Sequence, residues 1–392
     1  MNILFLGYAV DSITASKLSG ASVAGNKMQL NVLRELSKYE DIHLNAITVY
    51  PVAAYPKDKI YIAKKEIPIV DDVTGKRVAF LNLPLVKQAW QTLSVYFQAK
   101  RFVKTDKNTI VLSFNLYPQI GLPLKWLKEK HHVPTVSLLA DLPIDDNYSR
   151  KGLSVYFRKL FDNLTLKAIA VCDRLIVLNE NAIKQYAPGK EHIVMEGGID
   201  LKEVGAHNSI KSGLKNIVYS GALTEYSGIR NLIGAMKYVK DDAIILQIYG
   251  SGLLSEEIIK NNDKNVQYMG SVTNDEMRRI QSGAWLLANP RPVDDPIAQV
   301  TFPSKIFEYM VSGTPVLTTR LNGFTEEYKD KLFFTVGDNA KAIAQKINEI
   351  TAMPPEMLHE KAAAAKDFIV QNKTWEIQGL KIYKFLHKAV NE

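Results

Sequence analysis

The sequence predicts an α/β protein built from two Rossmann-like, doubly wound domains. Its 392 residues suffice for two or three domains that each bury a full core. Short apolar segments alternate with helical segments through both halves, as in parallel sheets flanked by helices. Paired glycines follow an apolar segment at Met195-Glu196-Gly197-Gly198, where we expect the hinge between the two domains.

Strands and helices are predicted from apolar runs and from helical periodicity. The predicted strands of the first half are Asn2–Gly7, His43–Val49, Thr109–Phe114, Thr135–Leu139 and Arg174–Leu178. Those of the second half are Asn216–Ser220, Ala243–Tyr249, Val266–Tyr268, Ala284–Ala288 and Pro315–Thr318. One helix is predicted over Asn26–Lys38 and a last one over about Thr374–Ala389.

The overall composition is typical of a soluble globular protein. Hydrophobic residues make up 46% of the chain and charged residues 23%. No apolar run approaches the ~20 residues that cross a bilayer. Cys172 is the one cysteine, so an internal disulfide is excluded and a reducing compartment fits. We therefore expect a cytoplasmic protein.

The net charge of +8 calls for a partner or a solvated surface. The cations do not form one block, which argues against a nucleic-acid arm. They surround aromatic side chains in two stretches, which as basic amphipathic helices would bind an anionic membrane. Two core helices with solvated basic faces explain them equally well, and both interpretations stay open. The stretches are Trp90, Tyr96, Phe97, Lys100, Arg101, Phe102 and Lys104, and Tyr156, Phe157, Arg158, Lys159, Phe161 and Lys167.

The segment from Thr301 to Leu317 carries the clearest chemistry. Pro303 suits the first turn of a short helix, so Ser304 and Lys305 would lie where unpaired backbone N–H groups and a full positive charge attract phosphate. Glu308 lies one turn further along, where its carboxylate can accept hydrogen bonds from sugar hydroxyls. An ordinary capped helix leading into a core strand is the alternative.

This segment resembles the nucleotide-binding signature of retaining glycosyltransferases of the GT-B fold, family 4, also called the glycosyltransferase group 1 family. The resemblance implies two Rossmann-like domains facing a cleft, with a C-terminal helix that crosses back to the first domain. It implies an acceptor-binding domain over 1–197, a nucleotide-sugar-binding domain over 198–370 and the returning helix over 371–392. It also implies that Ser304 and Lys305 hold phosphates and that Glu308 holds the ribose.

The segment from Tyr219 to Ile229 also resembles family 4 but departs from it. The family has an arginine directly after the first glycine, Gly221, and a lysine directly before the second, whereas this chain has Ala222 and Ser227. The first of the family's two glutamates, eight positions before Glu308, is replaced by Val300. The chain therefore resembles a divergent branch. We expect Arg291, as a bidentate fork, and Lys305, as a point charge, to neutralise the diphosphate instead and to act in catalysis.

Two further glycine loops follow predicted strands. Gly20 lies between the first strand and the first long helix, where open α/β sheets bind ligands and where the family places the donor sugar; a plain connector is the alternative. Gly250, in Gly250-Ser251-Gly252, resembles the start of a dinucleotide fingerprint, but the sixth position is Ser255. The comparable family 4 loop beside the nucleotide is the better interpretation, and NAD is not expected.

Asp141 is the candidate catalytic residue on the acceptor side. In Ala140-Asp141-Leu142-Pro143 it follows the strand Thr135–Leu139, so it would lie at the carboxyl edge of the sheet. There it can bind the acceptor hydroxyl or stabilise positive charge on the donor sugar. Aspartate before Leu-Pro is also a common turn former, and that alternative stays open.

No metal or cofactor is expected. The chain has no Asp-x-Asp sequence, its seven histidines show no ligand spacing, and one cysteine cannot build a thiolate site. Metal independence also fits the resembled family.

The predicted function is transfer of a sugar, with retention, from a nucleotide diphosphate sugar to a hydroxyl of a glycan or lipid-linked acceptor. A UDP-sugar is favoured over a GDP-sugar, and the expected setting is bacterial surface polysaccharide synthesis at the inner face of the membrane. Two alternatives stay open: a nucleotide-sugar epimerase of the same fold, and a non-catalytic partner subunit of a glycosyltransferase.

Overall fold

The computed structural model describes residues 1–84, 86–105, 108–144, 153–203 and 215–391. The chain divides into two compact units. The first comprises Met1–Gly197 together with Trp375–Glu392, and the second comprises Gly198–Thr374. Each unit has its own sheet and its own hydrophobic core.

The described residues of the first unit form ten strands and six helices before the chain enters the second unit. The strands are β1 (Asn2–Gly7), β2 (His43–Thr48), β3 (Tyr61–Ile62), β4 (Lys65–Val70), β5 (Val73–Arg77), β6 (Phe80–Leu81), β7 (Thr109–Phe114), β8 (Thr135–Leu139), β9 (Arg174–Val177) and β10 (His192–Val194). The helices are α1 (Ser12–Lys17), α2 (Val23–Ser37), α3 (Lys87–Thr105), α4 (Pro118–His131), α5 (Leu153–Val171) and α6 (Glu180–Tyr186).

Eight of these strands form one sheet in the order β10-β9-β8-β7-β1-β2-β5-β4. Strand order reverses between β1 and β7, because the chain runs outward through β2 in one direction and through β8, β9 and β10 in the other. The pairs are parallel except β4 with β5, which is antiparallel, and β3 pairs antiparallel with β6 in a separate ribbon. The prediction of purely parallel sheets is therefore wrong at this edge.

In the second unit, the residues outside 204–214 form six strands and seven α-helices. The strands are β11 (Asn216–Ser220), β12 (Ile245–Tyr249), β13 (Val266–Gly270), β14 (Leu286–Asn289), β15 (Val316–Thr319) and β16 (Phe333–Thr335). The helices are α7 (Ile229–Met236), α8 (Ser255–Ile259), α9 (Asn274–Gly283), α10 (Pro296–Val300), α11 (Lys305–Val311), α12 (Ala340–Thr351) and α13 (Pro355–Asn372). All neighbours in the order β13-β12-β11-β14-β15-β16 are parallel, and the order reverses between β11 and β14.

The last helix, α14 (Trp375–Asn391), belongs to the first unit. Trp375, Ile382 and Leu386 are buried in the first unit's core. The ring of Tyr383 stacks on that of Tyr39 with centroids 3.9 Å apart, and its hydroxyl donates to Asp41 Oδ1 at 3.1 Å. The prediction that the C-terminal helix returns to the first domain is confirmed.

Helix α2 begins three residues before its predicted start at Asn26. The Ser22 hydroxyl accepts a hydrogen bond from the Gly25 N–H at 3.1 Å, which caps the helix so that Val23 is its first residue. β12 in turn begins at Ile245 rather than Ala243, because the Ala243 N–H donates to Asp241 Oδ1 at 3.0 Å in a turn. β14 is shifted to Leu286–Asn289 from its prediction.

Within the part of the chain that the structure describes, no helix combines the length and the apolarity needed to cross a membrane.

Candidate functional site

A cluster of glycines and cations lies at the carboxyl ends of the second unit's central strands. Gly221 follows β11, Gly250 follows β12 and Arg291 lies two residues beyond β14. Since strand order reverses between β11 and β14, this edge is the switch point at which open α/β sheets bind ligands. Lys305, the first residue of α11, completes the cluster.

Gly221 and Gly250 bring two backbone segments and the Lys305 side chain closer together than any side chain at these positions would allow. Gly250 has φ +131°, and a Cβ there would lie 1.9 Å from the Gly221 carbonyl oxygen. Gly221 has φ +145°, and a Cβ there would lie 1.5 Å from Lys305 Nζ. Only glycine adopts these conformations readily. The absent side chain at Gly221 is therefore what admits the Lys305 ammonium to this loop.

Lys305 is half-buried, and its ammonium also lies 5.0 Å from the ring centroid of Tyr219. Burial, assisted by the nearby Arg291 charge and partly opposed by Glu308, lowers the pKa of Lys305 to about 8. The pKa of Arg291 is also lowered by burial, against the charges of Asp295 and Tyr219.

Neither cation is neutralised at short range. Among the described residues, neither the Arg291 guanidinium nor the Lys305 ammonium forms an ion pair with a carboxylate. The Arg291 charge lowers the pKa of Lys305, and two partly desolvated positive charges are costly unless an anion binds close to them. The electrostatics of this cluster therefore favour an anionic ligand.

A buried network holds α11 against the end of β11. The Tyr309 hydroxyl accepts from the Ser220 N–H at 2.9 Å and donates to the Ser220 carbonyl at 3.2 Å. Gln281 Nε2 donates to Ser220 Oγ at 3.2 Å. Burial raises the pKa of Tyr309, so it remains a neutral donor and acceptor. Sequence reasoning missed Tyr309, although its position four residues after Lys305 is visible in the sequence.

The other predicted residues of this unit lie on α11 or in the loop after β11. Ser304 and Glu308 are exposed, directly before Lys305 and one turn after it. Ala222 is exposed, whereas Ser227 is buried and donates to the Thr224 carbonyl at 2.5 Å. Val300 is buried and apolar. The three positions that lack the family's charged side chains therefore add no charge to this site.

A separate cavity of about 320 Å³ lies in the first unit, again where strand order reverses. Its lining includes Gly20 and Asp141, the two residues predicted for the sugar and acceptor sides. Its lining also contains Lys87, Tyr117 and several side-chain amides beside apolar side chains. The structure thus places Gly20 and Asp141 together in one unit, and Arg291 and Lys305 together in the other.

Asp141 is held in this cavity by its neighbours. Asn115, with φ +55°, accepts the N–H groups of Ala140 and Asp141 through Oδ1 at 2.8 and 3.0 Å. Asn115 Nδ2 and the Tyr117 hydroxyl donate to Asp141 Oδ2 at 3.0 and 3.2 Å. Burial and the Asp141 charge raise the pKa of Tyr117. Within the described residues Asp141 Oδ1 has no donor, so it is open to a ligand hydroxyl.

Two residues shape the opposite wall of the cavity. A Cβ at Gly20 would lie 2.8 Å from the Pro51 carbonyl oxygen, so this loop packs tightly on the segment after β2. Lys87, the first residue of α3, donates to the Val52 carbonyl at 2.5 Å, and burial lowers its pKa. Sequence reasoning missed Lys87, because nothing local marks a helical lysine as part of a cavity.

No cluster of three or more histidine, cysteine or carboxylate side chains suited to a metal occurs in the described part of either unit.

The comparison with protein families gives one match. Residues 214–352 match the model described as glycosyl transferases group 1. The matched segment contains Gly221, Gly250, Arg291, Lys305 and Glu308, so the whole second-unit cluster lies within it. The comparison with curated proteins gives no match.

The whole chain is similar to solved structures of glycosyl-transferring enzymes at low sequence identity. Sucrose-phosphate synthase from Thermosynechococcus elongatus superposes with a TM-score of 0.70 at 13% identity, over 99% of each chain. OtsA superposes with a TM-score of 0.69 at 10% identity, over 98% of this chain and 99% of its own. HepE from Anabaena, solved with UDP, gives 0.66 at 14% identity, over 99% and 100%. The fold is that of GT-B glycosyltransferases, with two Rossmann-like units.

Proposed function

We propose that this protein is a retaining, metal-independent glycosyltransferase of family 4. It transfers a sugar from a nucleotide diphosphate sugar to a hydroxyl of a glycan or lipid-linked acceptor. The observation that carries the proposal is the pair of half-buried cations, Arg291 and Lys305, that converge beside two glycine loops and form no ion pair with a carboxylate of the described chain. A diphosphate supplies the missing negative charge.

The second-unit cluster suits a nucleoside diphosphate better than a single phosphate. Arg291 offers a planar fork of donors and Lys305 a compact charge, so the two can bind different oxygens of one diphosphate. The backbone at Gly221 and Gly250 allows phosphate to approach closely. Glu308, exposed one turn beyond Lys305, is placed to accept hydrogen bonds from ribose hydroxyls.

The first-unit cavity supplies the acceptor side of the proposal. Its amides and hydroxyls are the groups that bind carbohydrate hydroxyls, and Gly20 forms part of the lining where its loop packs tightly on the segment after β2. Asp141 Oδ1 accepts a hydrogen bond from the acceptor hydroxyl, while Oδ2 is fixed by Asn115 and Tyr117. Asp141 thereby orients the nucleophile.

The proposed reaction needs no protein nucleophile. The bond between the anomeric carbon and the diphosphate oxygen breaks, and Arg291 and Lys305 stabilise the charge that develops on the leaving phosphate. The acceptor oxygen bonds to the same face of the anomeric carbon, and its proton passes to the leaving phosphate oxygen. Retention of configuration follows from attack on the face that the diphosphate leaves.

The favoured donor is a UDP-sugar, with a GDP-sugar as the second choice. HepE from Anabaena, which shares the fold, is solved with UDP and, at a TM-score of 0.63, with UDP-glucose. We place the protein at the cytoplasmic face of a bacterial membrane, in surface polysaccharide synthesis. The charge of +8 supports peripheral contact with anionic lipid there.

Thermal unfolding with a panel of UDP, GDP, ADP, CMP and NAD, in chelator and then in magnesium, tests the donor site. A nucleotide present at ~100 times its dissociation constant stabilises the folded protein by about 2.7 kcal/mol. We expect one nucleoside diphosphate to stabilise it equally with and without magnesium. Silence across the panel would refute the donor site and favour the non-catalytic partner, for which buried Val300 in place of a glutamate is the supporting observation.

Product analysis separates the two enzyme alternatives. A transferase hydrolyses or transfers the sugar of its UDP-sugar and releases UDP. An epimerase returns a different UDP-sugar with no acceptor present and no net UDP. Chromatography of the nucleotide pool after incubation with UDP-glucose therefore distinguishes the two outcomes directly.

A further inference from the structure

Helix α3 presents apolar side chains outward as well as inward. Its inner face buries Gln91, Thr92, Val95, Tyr96, Ala99 and Val103. On the opposite face Trp90 is 44% exposed, Leu93 49% and Phe97 55%, and Val86, just before the helix, is 44% exposed. Spacings of three and four residues place these four side chains in one row, which we call the apolar stripe.

Cations follow the apolar stripe at its C-terminal end. α3 contains Lys87, Lys100, Arg101 and Lys104 but no aspartate or glutamate. Arg101 and Lys104 are exposed and lie four and seven residues after Phe97, so they continue the row. A helix with one face in the core, a large apolar outer row and uncompensated positive charge at one end matches an interfacial helix.

A basic cavity adjoins the same end of α3. It has a volume of about 280 Å³, and its lining includes Arg101, Lys64 just before β4 and Lys76 on β5. Among the described residues, Glu66 is the one carboxylate in the lining. Three cations against one anion give the cavity a net positive charge, which suits the phosphate of a lipid headgroup.

The neighbouring helices extend this surface. α4 packs against both α3 and α5, so the three helices form one layer. On α5, Tyr156 is 68% exposed, and Phe157 and Leu160 are also exposed. The second aromatic and basic stretch of the sequence thus also leaves part of its apolar surface outside the core.

We propose that the apolar stripe and the cations at its end form a membrane-docking surface for a bilayer that contains anionic phospholipid. A second copy of the chain is a poorer occupant. A symmetric contact through the stripe would cover Arg101 and Lys104 of each copy with another α3, which holds no carboxylate to offset them. Anionic headgroups supply that compensation while the lipid interior covers Trp90 and Phe97.

The docking surface also narrows the acceptor class, a step that rests on the proposed function. Lys87, Gln88 and Gln91 line the cavity that contains Asp141, and the apolar stripe starts on the same turns of α3. α3 therefore borders both the cavity that contains Asp141 and the membrane through its apolar stripe. The acceptor that fits both is an amphiphile, with a glycan headgroup in the cavity and its lipid in the bilayer.

Cosedimentation of the full chain with vesicles tests the surface. We expect binding at low salt to vesicles of equimolar phosphatidylcholine and phosphatidylglycerol, and little binding to phosphatidylcholine alone. The variants W90S/F97S and K100Q/R101Q/K104Q should each lower the partition coefficient about tenfold or more. The controls I259S/M357S and K237Q/K240Q/K264Q change similarly exposed residues of the second unit and should bind as the parent does.

Tryptophan fluorescence gives a second readout that does not depend on a disruptive variant. Emission should shift to shorter wavelength on binding, and W90F should bind normally but lose the shift. Normal vesicle binding by both W90S/F97S and K100Q/R101Q/K104Q would overturn the proposal. So would a dimer that W90S/F97S converts to a monomer without any change in vesicle binding.

UDP binding to the same variants, measured without vesicles, keeps this inference separate from the proposed function. We expect W90S/F97S and K100Q/R101Q/K104Q to bind UDP as the parent does. If the parent binds vesicles through the stripe but binds no nucleotide, the glycosyltransferase proposal fails and the docking surface stands.

Discussion

The two candidate sites of this protein are built in different ways. The second-unit cluster consists of residues that follow strand ends or begin a helix, and its members are marked in the sequence by glycine and by isolated cations. The first-unit cavity is assembled from amides, hydroxyls and one carboxylate on separate segments. The matching family model covers 214–352, the region that contains the second-unit cluster. The residues proposed to recognise a diphosphate therefore have local sequence signals, whereas those proposed to recognise an acceptor are distributed along the chain.

Replacing each of two glycines of the second unit by alanine should lower stability by very different amounts. Gly250→Ala places a Cβ against the Gly221 carbonyl, which cannot move without the sheet, so we expect a loss of about 4 kcal/mol in the free energy of unfolding. Gly221→Ala meets only the end of a flexible lysine, so its loss should be about 1–2 kcal/mol, with UDP affinity lowered instead because Lys305 is displaced. Urea denaturation and UDP titration measure the two effects.

Gly270→Ala is the matched control for this pair. Gly270 has φ +74°, and no atom lies within 4 Å of the position that a Cβ would take, so this variant reports the backbone conformation alone. Equal losses of stability for all three variants would contradict the close packing on which the cluster depends.

The next largest effect concerns Asp141 in the first-unit cavity, on the proposed acceptor side. Asp141→Asn keeps the shape but removes the charge that orients the acceptor hydroxyl, so we expect turnover to fall about 100-fold. UDP affinity should not change, because the diphosphate binds in the second unit. Steady-state kinetics with a UDP-sugar measure the turnover, and UDP titration measures the affinity. A loss of UDP affinity in parallel with the loss of turnover would place Asp141 on the donor side instead.

A pH dependence should distinguish Lys305 from Arg291. Lys305 has a pKa of about 8 and binds a diphosphate only when protonated, so UDP affinity should fall as the pH rises above 8, where the phosphates are already fully ionised. The Lys305 pKa is lowered on folding, so between about pH 8 and 10.4 the unfolded chain binds more protons and stability without ligand should rise. Lys305→Arg should abolish the fall in affinity; an unaltered profile would assign the titration elsewhere.

The smallest effect concerns the network that positions α11. Tyr309→Phe removes a buried hydroxyl that bonds to Ser220, so we expect a loss of about 1–2 kcal/mol in unfolding free energy. UDP affinity should fall only a few-fold, since Lys305 keeps its charge. Phe307→Leu, which alters a buried aromatic on the same helix, is the control. A large affinity loss with no loss of stability would make Tyr309 a direct ligand contact.

Much of the fold was predictable because its central strands are apolar runs bounded by turns. The bounds of β1, β7, β8 and β11 are those predicted. The strands that were missed are β3, β4, β5, β6 and β10 in the first unit and β16 in the second. β3 has two residues, and β4 contains Pro68 and exposed charges, so neither shows a buried strand pattern.

The sites were predictable to the extent that their residues have local signals. Gly221, Gly250 and Lys305 stand out in sequence because each occupies a strand or helix end. Asn115 does not, because its bonds to Asp141 span 26 residues, and the bond from Ser220 to Tyr309 spans 89. Partners this far apart in sequence meet only because of the order of the strands in the sheet. No local pattern in the sequence gives that order.

The most direct test is calorimetric titration of UDP into the full chain in the presence of chelator, for the parent and for R291A/K305A. We expect metal-independent binding by the parent and a loss of at least about 100-fold in the double variant, since each charged contact contributes about 1.5–3 kcal/mol. The control K264A/R279A, which removes two exposed cations of the same unit, should bind as the parent does. Parent-like affinity in R291A/K305A would contradict the account.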